Sequence, residues 1–168
     1  MDLLGYRLDI GSAFAPVDLN TANGATGHRV HLRNYESIAF VFIKAAGTAG
    51  EDPDLDVQEH NAATGGTSQD LDVITEFYSK QETVLDGDEV WVRSTQTAAS
   101  EVELGATSAE VEGIWVVQVD AAQLSAGFEW LSVNVVVTAA AAQLAAGIYI
   151  MGGLKIQRRP DLLAQPNA

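Results

Sequence analysis

Asp52, Asp54 and Asp56 recur at every second position, the spacing with which a calcium-binding loop opens. The loop does not continue. Its sixth position is Val57, where the sharp turn needs glycine, and its twelfth is Ala63, where a bidentate glutamate would close the coordination sphere. Pro53 also fixes the backbone between the first two carboxylates, so a solvated acidic loop is expected. His28, His31 and His60 form no helical pair; on a strand, His28 and His31 would face opposite sides, and surface or loop positions are expected for all three. No serine sits in a nucleophile elbow, and no Gly-Lys-Ser/Thr phosphate loop occurs. Carboxylates are plentiful, but no pair is singled out as a glycosidase dyad. Trp115 lies in an apolar run and reads as core. Trp91 and Trp130 alternate with polar neighbours and are the candidates for an exposed aromatic face, such as a sugar platform. With no cysteine in the chain, thiolate metal sites and disulfides are excluded. No metal, no cofactor and no enzymatic turnover are expected.

The chemistry is thus that of surfaces, and charge sorts them. The net charge is −14 over 168 residues, with 47% hydrophobic and 19% charged residues, which is a globular composition. Residues 1–44 balance four acids against four bases. Residues 45–130 carry 18 acids against only Lys80 and Arg93, while 131–168 carry Asp161 against Lys155, Arg158 and Arg159. Such a body repels phosphate backbones, so no nucleic-acid partner is expected. Neutral or basic ends would dock while the acidic middle faces solvent.

The elements that position these residues read as strands. Three segments are expected: an N-terminal arm or first strand over 1–27, a sandwich over 28–154 and an extended tail over 155–168. The first has no lasting period and the turn signal Asn23-Gly24, yet its opening is too apolar for a free tail and lacks the basic leader of a secretory signal. Strands follow at 28–32, at Ser37–Lys44 (apolar on both faces, hence central and doubly covered), at 55–60, 73–80, 89–95 and 101–104, and at 113–119. Residues 61–70 read as a loop. Asp120-Ala-Ala-Gln123 has capping-box spacing and predicts a single helical turn, ended by Gly127.

The stretch from Trp130 to Leu154 has no charge and is long enough to span a bilayer. Its alternation over 130–138 and its interruption by Gln143, Gly147, Gly152 and Gly153 argue instead for two neighbouring strands, 130–138 and 148–151, joined by an Ala-rich connector over 139–147. No membrane partner is expected. The fold class is all-β, an antiparallel β-sandwich. Its long strands and uneven loops suit a jelly roll better than an immunoglobulin-like arrangement.

Several of these segments together carry a resemblance. They are Val17–Gly27, Asn34–Ile38, Phe42–Pro53, Thr107–Glu110, Gly113–Asp120, the Ala-Gln-Leu-x-x-Gly connectors ending at Gly127 and Gly147, and Ile148–Met151. The chain resembles small structural proteins of tailed bacteriophages that decorate or cement the capsid. The resemblance implies a β-sandwich, often self-associating as a homotrimer, on the outer surface of the virion. Its partner there would be the assembled major capsid protein, and neither cofactor nor catalysis is implied. The candidate interface residues are Leu3, Leu4, Tyr6, Arg7 and Phe14 in the arm, Ala142, Leu144 and Ala145 in the connector, and Lys155, Arg158 and Arg159 in the tail. A carbohydrate- or receptor-binding β-sandwich is the alternative.

Overall fold

Alternation of large apolar side chains with small or polar ones builds the strands of this chain. The computed structural model describes residues 3–22, 24–137 and 142–166. Among the described residues eleven strands form: β1 (Leu8–Asp18), β2 (Val30–His31), β3 (Ser37–Lys44), β4 (Asp54–His60), β5 (Ser68–Asp70), β6 (Ile74–Glu82), β7 (Val92–Ala99), β8 (Glu101–Glu103), β9 (Glu112–Asp120), β10 (Trp130–Val136) and β11 (Leu144–Gly152). Every strand pairing is antiparallel. One sheet has the order β1-β11-β3-β9-β6-β7; the other has the order β2-β10-β4-β5, with β8 also on β4. Along one edge of β4, β8 covers Asp54–Asp56 and β5 covers Gln58–His60, so two short strands share one place in the sheet.

Followed in chain order, β1, β2, β3 and β4 alternate between the sheets, and β9, β10 and β11 return between them. This is jelly-roll connectivity: β1-β11-β3-β9 faces β2-β10-β4 and the divided edge. The hairpin β6–β7, inserted between the halves of that edge, widens the first sheet. The fold is therefore an all-β antiparallel sandwich.

The core lies between the inner faces. Phe40, Phe42, Trp115, Val117, Tyr149 and Met151 come from the first sheet and meet Leu55, Val57, Leu131, Val133 and Val135 from the second, all at most 3% exposed. Tyr149 joins the sheets: its hydroxyl accepts a hydrogen bond from the Val133 N–H at 2.9 Å. Gly147 makes room for the aromatic cluster, since a Cβ there would lie 2.6 Å from the Phe14 ring and 2.8 Å from that of Phe40.

Several expectations are corrected. Residues 8–18 are a strand registered against β11, which is the first-strand alternative expected for 1–27, and Phe14, expected at an interface, is a core residue, 7% exposed. Strands β10 and β11 are not neighbours but lie in opposite sheets, because the connection between them crosses the sandwich. The later strand starts at Leu144, earlier than its apolar run suggests. Ala145 therefore points into the core at 4% exposure and is unavailable for a contact with another molecule. Residues 139–141 of the Ala-rich connector, and residue 138 at the end of the expected strand, lie outside the described residues. Strand β3 is central but covered on one face only, its outer face carrying Val41 half-buried and Ile43 exposed. Ser68–Asp70 pairs with β4 inside the expected loop. Asp120–Gln123 does form the capped turn, a 3-10 turn in which Gln123 Oε1 accepts the Asp120 N–H at 2.8 Å. Among the described residues, no helix is long and apolar enough to cross a membrane.

Candidate functional site

Two chain segments far apart in sequence converge at one end of the sandwich. A turn over residues 3–7 leads into β1, closed by hydrogen bonds from Gly5 N to Leu8 O (2.7 Å) and from Arg7 N to Leu3 O (2.9 Å). After β11 the chain turns at Gly153 and crosses this end. Lys155 N donates to Asn34 O and Arg158 N donates to Gly5 O, at 2.9 and 3.0 Å. It then passes a 3-10 turn at Pro160–Leu162 and reaches the edge of the second sheet, where Pro166 O accepts the His31 N–H. Gly5 is required here twice over. Its φ is +81°, and a Cβ would lie 2.2 Å from Arg158 O.

The surface so built is basic and apolar. Arg7, Arg33, Lys155, Arg158 and Arg159 gather there, five of the nine Lys and Arg residues of the chain. Beside them Leu3, Leu4, Ile156 and Leu162 are 39–57% exposed. Arg159 pairs with Asp161 at 2.8 Å, and Lys155 Nζ donates to Arg33 O. A cavity of about 130 Å³ lies beneath, lined by Asn34, Tyr35, Leu154, Ile156, Arg158, Leu163 and Ala164. Under it the Tyr35 hydroxyl donates to Asp9 Oδ2 at 2.8 Å; burial and then Asp9 hold the phenol's pKa well above its usual value. That pair anchors the end of β1 to the turn before β3.

Of the residues expected at an interface, the structure brings together Leu3, Leu4, Tyr6, Arg7, Lys155, Arg158 and Arg159. Ala142 and Leu144 are exposed but lie at the opposite end of β11, about 26 Å away at the rise of an extended strand. Phe14 and Ala145 are in the core.

The outer faces of the two sheets add a second contrast. On the first, β1, β11, β3 and β9 present Ile10, Ile148, Ile150, Val41, Ile43 and Val116. On the second, Asp54, Asp56, Glu101 and Glu103 stand side by side in register. Burial and then Glu103 push the Asp54 carboxyl above its usual pKa; burial and then Asp70 and Glu101 do the same for Asp56, against the hydrogen bond from Asn134.

The calcium-like triad is not one group. Asp52 Oδ1 accepts from Ser108 Oγ and Ala109 N, while Asp54 and Asp56 alternate along β4. Carboxylates close enough for a cation occur instead at the β6–β7 tip, where oxygens of Glu82, Asp86, Asp88 and Glu89 lie within 4.8 Å of one another. There Glu89 Oε1 already accepts the Asp86 and Gly87 N–H groups. The aromatic platform dissolves: Trp91 is 52% exposed, but Trp130 is buried and stacked on His31 at 4.3 Å.

Besides Asp9 and the fully buried Glu59, two further buried ionisable groups escaped the sequence reading. His60, expected at the surface, is 3% exposed between Ser68 Oγ (2.7 Å) and Ser132 Oγ (2.9 Å), and burial with Arg29 lowers its pKa to about 4. Lys44 points inward beside Trp115 and donates to the carbonyls of Ala45, Ala109 and Val111; burial lowers its pKa to about 8 against Asp52, Glu110 and Glu112. Both are structural, saturated by partners in the fold.

No protein-family model matches this sequence, and no curated protein matches it. Among solved structures, the chain is similar to the SPBc2 prophage-derived protein YomS at 9% identity and a TM-score of 0.42, covering 87% of this chain and 93% of that one. It is also similar to the VP2 subviral particle of infectious bursal disease virus at 9% identity and a TM-score of 0.23, covering 96% of this chain and 44% of that one. Neither superposition reaches a TM-score of 0.5, so neither transfers a fold or a role.

Proposed function

We propose that this is a non-enzymatic structural protein of a tailed-phage virion, which decorates the assembled capsid shell by binding its major capsid protein from outside. The observation that carries this reading is the convergence of residues 3–7 and 155–162 into one basic and apolar surface on an otherwise acidic molecule. A decoration protein needs an attachment surface that differs from the rest of a well-solvated body. Arg7, Lys155, Arg158 and Arg159 supply electrostatic attraction to an acidic shell, and Leu3, Leu4, Ile156 and Leu162 supply area to remove from water. The resemblance to capsid-decorating proteins, drawn from the loop and strand segments quoted above, points the same way. Repeated on a symmetric shell, individually weak contacts add up to stable occupancy when copies are linked.

The test is co-sedimentation of the full chain with assembled shells and, separately, with unassembled major capsid protein. Binding that saturates at a fixed number of copies per shell, and that weakens several-fold as salt rises to about 0.5 M, is expected. Absence from the shell pellet at every salt concentration would overturn the reading.

A further inference from the structure

We infer that the outer face of the six-stranded sheet is a self-association surface, covered by the same face of a second copy about a two-fold axis. The face is largely aliphatic, with Ser12, Ser37 and Gln118 as its polar outward positions. In register across the strands, Ile148 sits beside Val41 and Val41 beside Val116, while Ile10 sits beside Ile150. Ile10, Ile43 and Ile148 are 40–52% exposed, which is costly for β-branched side chains standing side by side in water. Charge appears only at the margins: Glu76, Lys80, Glu82 and Arg93 on the β6–β7 flank, where Arg93 already pairs with Glu76, and Glu112 and Asp120 at the ends of β9.

Two arguments choose a second copy as the occupant. The first is charge. A copy of this chain also carries −14, and bringing together the acidic faces of two copies would set carboxylates against carboxylates. Contact through the first sheet's outer face puts both acidic faces on the far sides of the pair, and the mixed-sign margins can meet across a two-fold axis. The second is size and shape. Four strands about 4.8 Å apart and about seven residues long give roughly 400 Å² of apolar surface. That is about half of the roughly 800 Å² each partner buries in a stable interface, close to the usual apolar share, with the margin supplying the rest. Sheets pack face to face about 10 Å apart inside this molecule's own class of fold, and the same geometry serves between copies. A flat face meeting itself closes as a dimer, which differs from the trimer that the family resemblance implies.

The experiment is sedimentation equilibrium of the full chain at micromolar concentrations, without shells, so that its outcome is independent of shell binding. A mass twice the 17.8 kDa of the chain is expected. Val41→Lys should give a folded monomer by circular dichroism and mass, whereas Gln58→Lys on the opposite face should remain dimeric. Because the chain has no cysteine, Val41→Cys provides a second readout that tolerates a poorly folded lysine variant: it should oxidise to a covalent dimer, and Gln58→Cys should not. A wild-type monomer, a trimer, or a dimer that survives in folded Val41→Lys would each overturn the inference.

Discussion

On the outer face of the six-stranded sheet, Val41 is flanked by Ile148 and Val116; on the outer face of the other, Asp56 is flanked by Asn134 and Glu101. The residues one position along in each strand, such as Phe40 and Phe42 or Leu55 and Val57, are equally buried in both sheets. Strand pairing and core burial therefore place the same demand on both sheets, and the demand falls only on inward positions. What the outward positions carry is free to differ. Aliphatic side chains there gain only partial burial from the fold of a single copy, and the crowded carboxylates opposite cost it something through mutual repulsion. The difference points to what each face meets: another surface on one side, water on the other. Val136, 47% exposed at the rim of the acidic face, is a lone exception and forms no patch.

The largest expected effect breaks the aliphatic face. Lysine at Val41 places an unpaired charge in the centre of the proposed two-fold contact. The dimer dissociation constant should rise on the order of 100-fold by sedimentation, with a change under about threefold for Gln58→Lys. Equal effects at the two positions would erase the distinction between the faces.

Next in size is Gly5→Ala, which sharpens the contrast between the basic end and both faces. The new Cβ would collide with Arg158 O in a left-handed backbone conformation. Chemical denaturation should show a loss of about 2 kcal/mol. Limited proteolysis should cut sooner within 155–166, while self-association through the aliphatic face is retained.

A smaller effect concerns the acidic face. Burial and Glu103 hold the Asp54 pKa above its ordinary 3.8, so the folded chain binds this proton more tightly than the unfolded one. Stability is then present at low pH and lost as pH rises through the folded pKa. Asp54→Asn should raise the Tm by about 1–2 °C at pH 7, and the gain should vanish as pH falls towards 3.8. A variant less stable than the parent at pH 7 would show that this carboxylate is held by its partners and not strained by its neighbours.

The strands most open to sequence reading, β3 and β9, are those whose alternation is unbroken. Strand β1 is readable only as an arm or a first strand, because its register against β11 shifts between Ser12 and Phe14 and again between Phe14 and Val17, which destroys the period of two. Ser68–Asp70 has no apolar residue and is exposed throughout, so nothing local marks it as a strand. Alternation identifies β10 and β11 as strands but says nothing about which sheet each joins; that depends on pairing with His60 and Lys44 at the far ends of other strands. His60 looked like a surface residue because its partners, Ser68 and Ser132, are identified only by the fold. At the candidate site, the basic and apolar residue types were visible in both segments. Their meeting was not, and Gly5, which could have signalled a close approach, has its partner 153 positions away at Arg158.

Shell occupancy measured side by side for two charge-reversed proteins tests the proposed role most directly. One carries Arg158→Glu and Arg159→Glu at the basic end; the other carries Glu101→Lys and Glu103→Lys on the acidic face. The first should lose about tenfold or more in affinity for assembled shells, while the second binds as the parent does. Undiminished binding by the first, or loss confined to the second, would contradict attachment through the basic end.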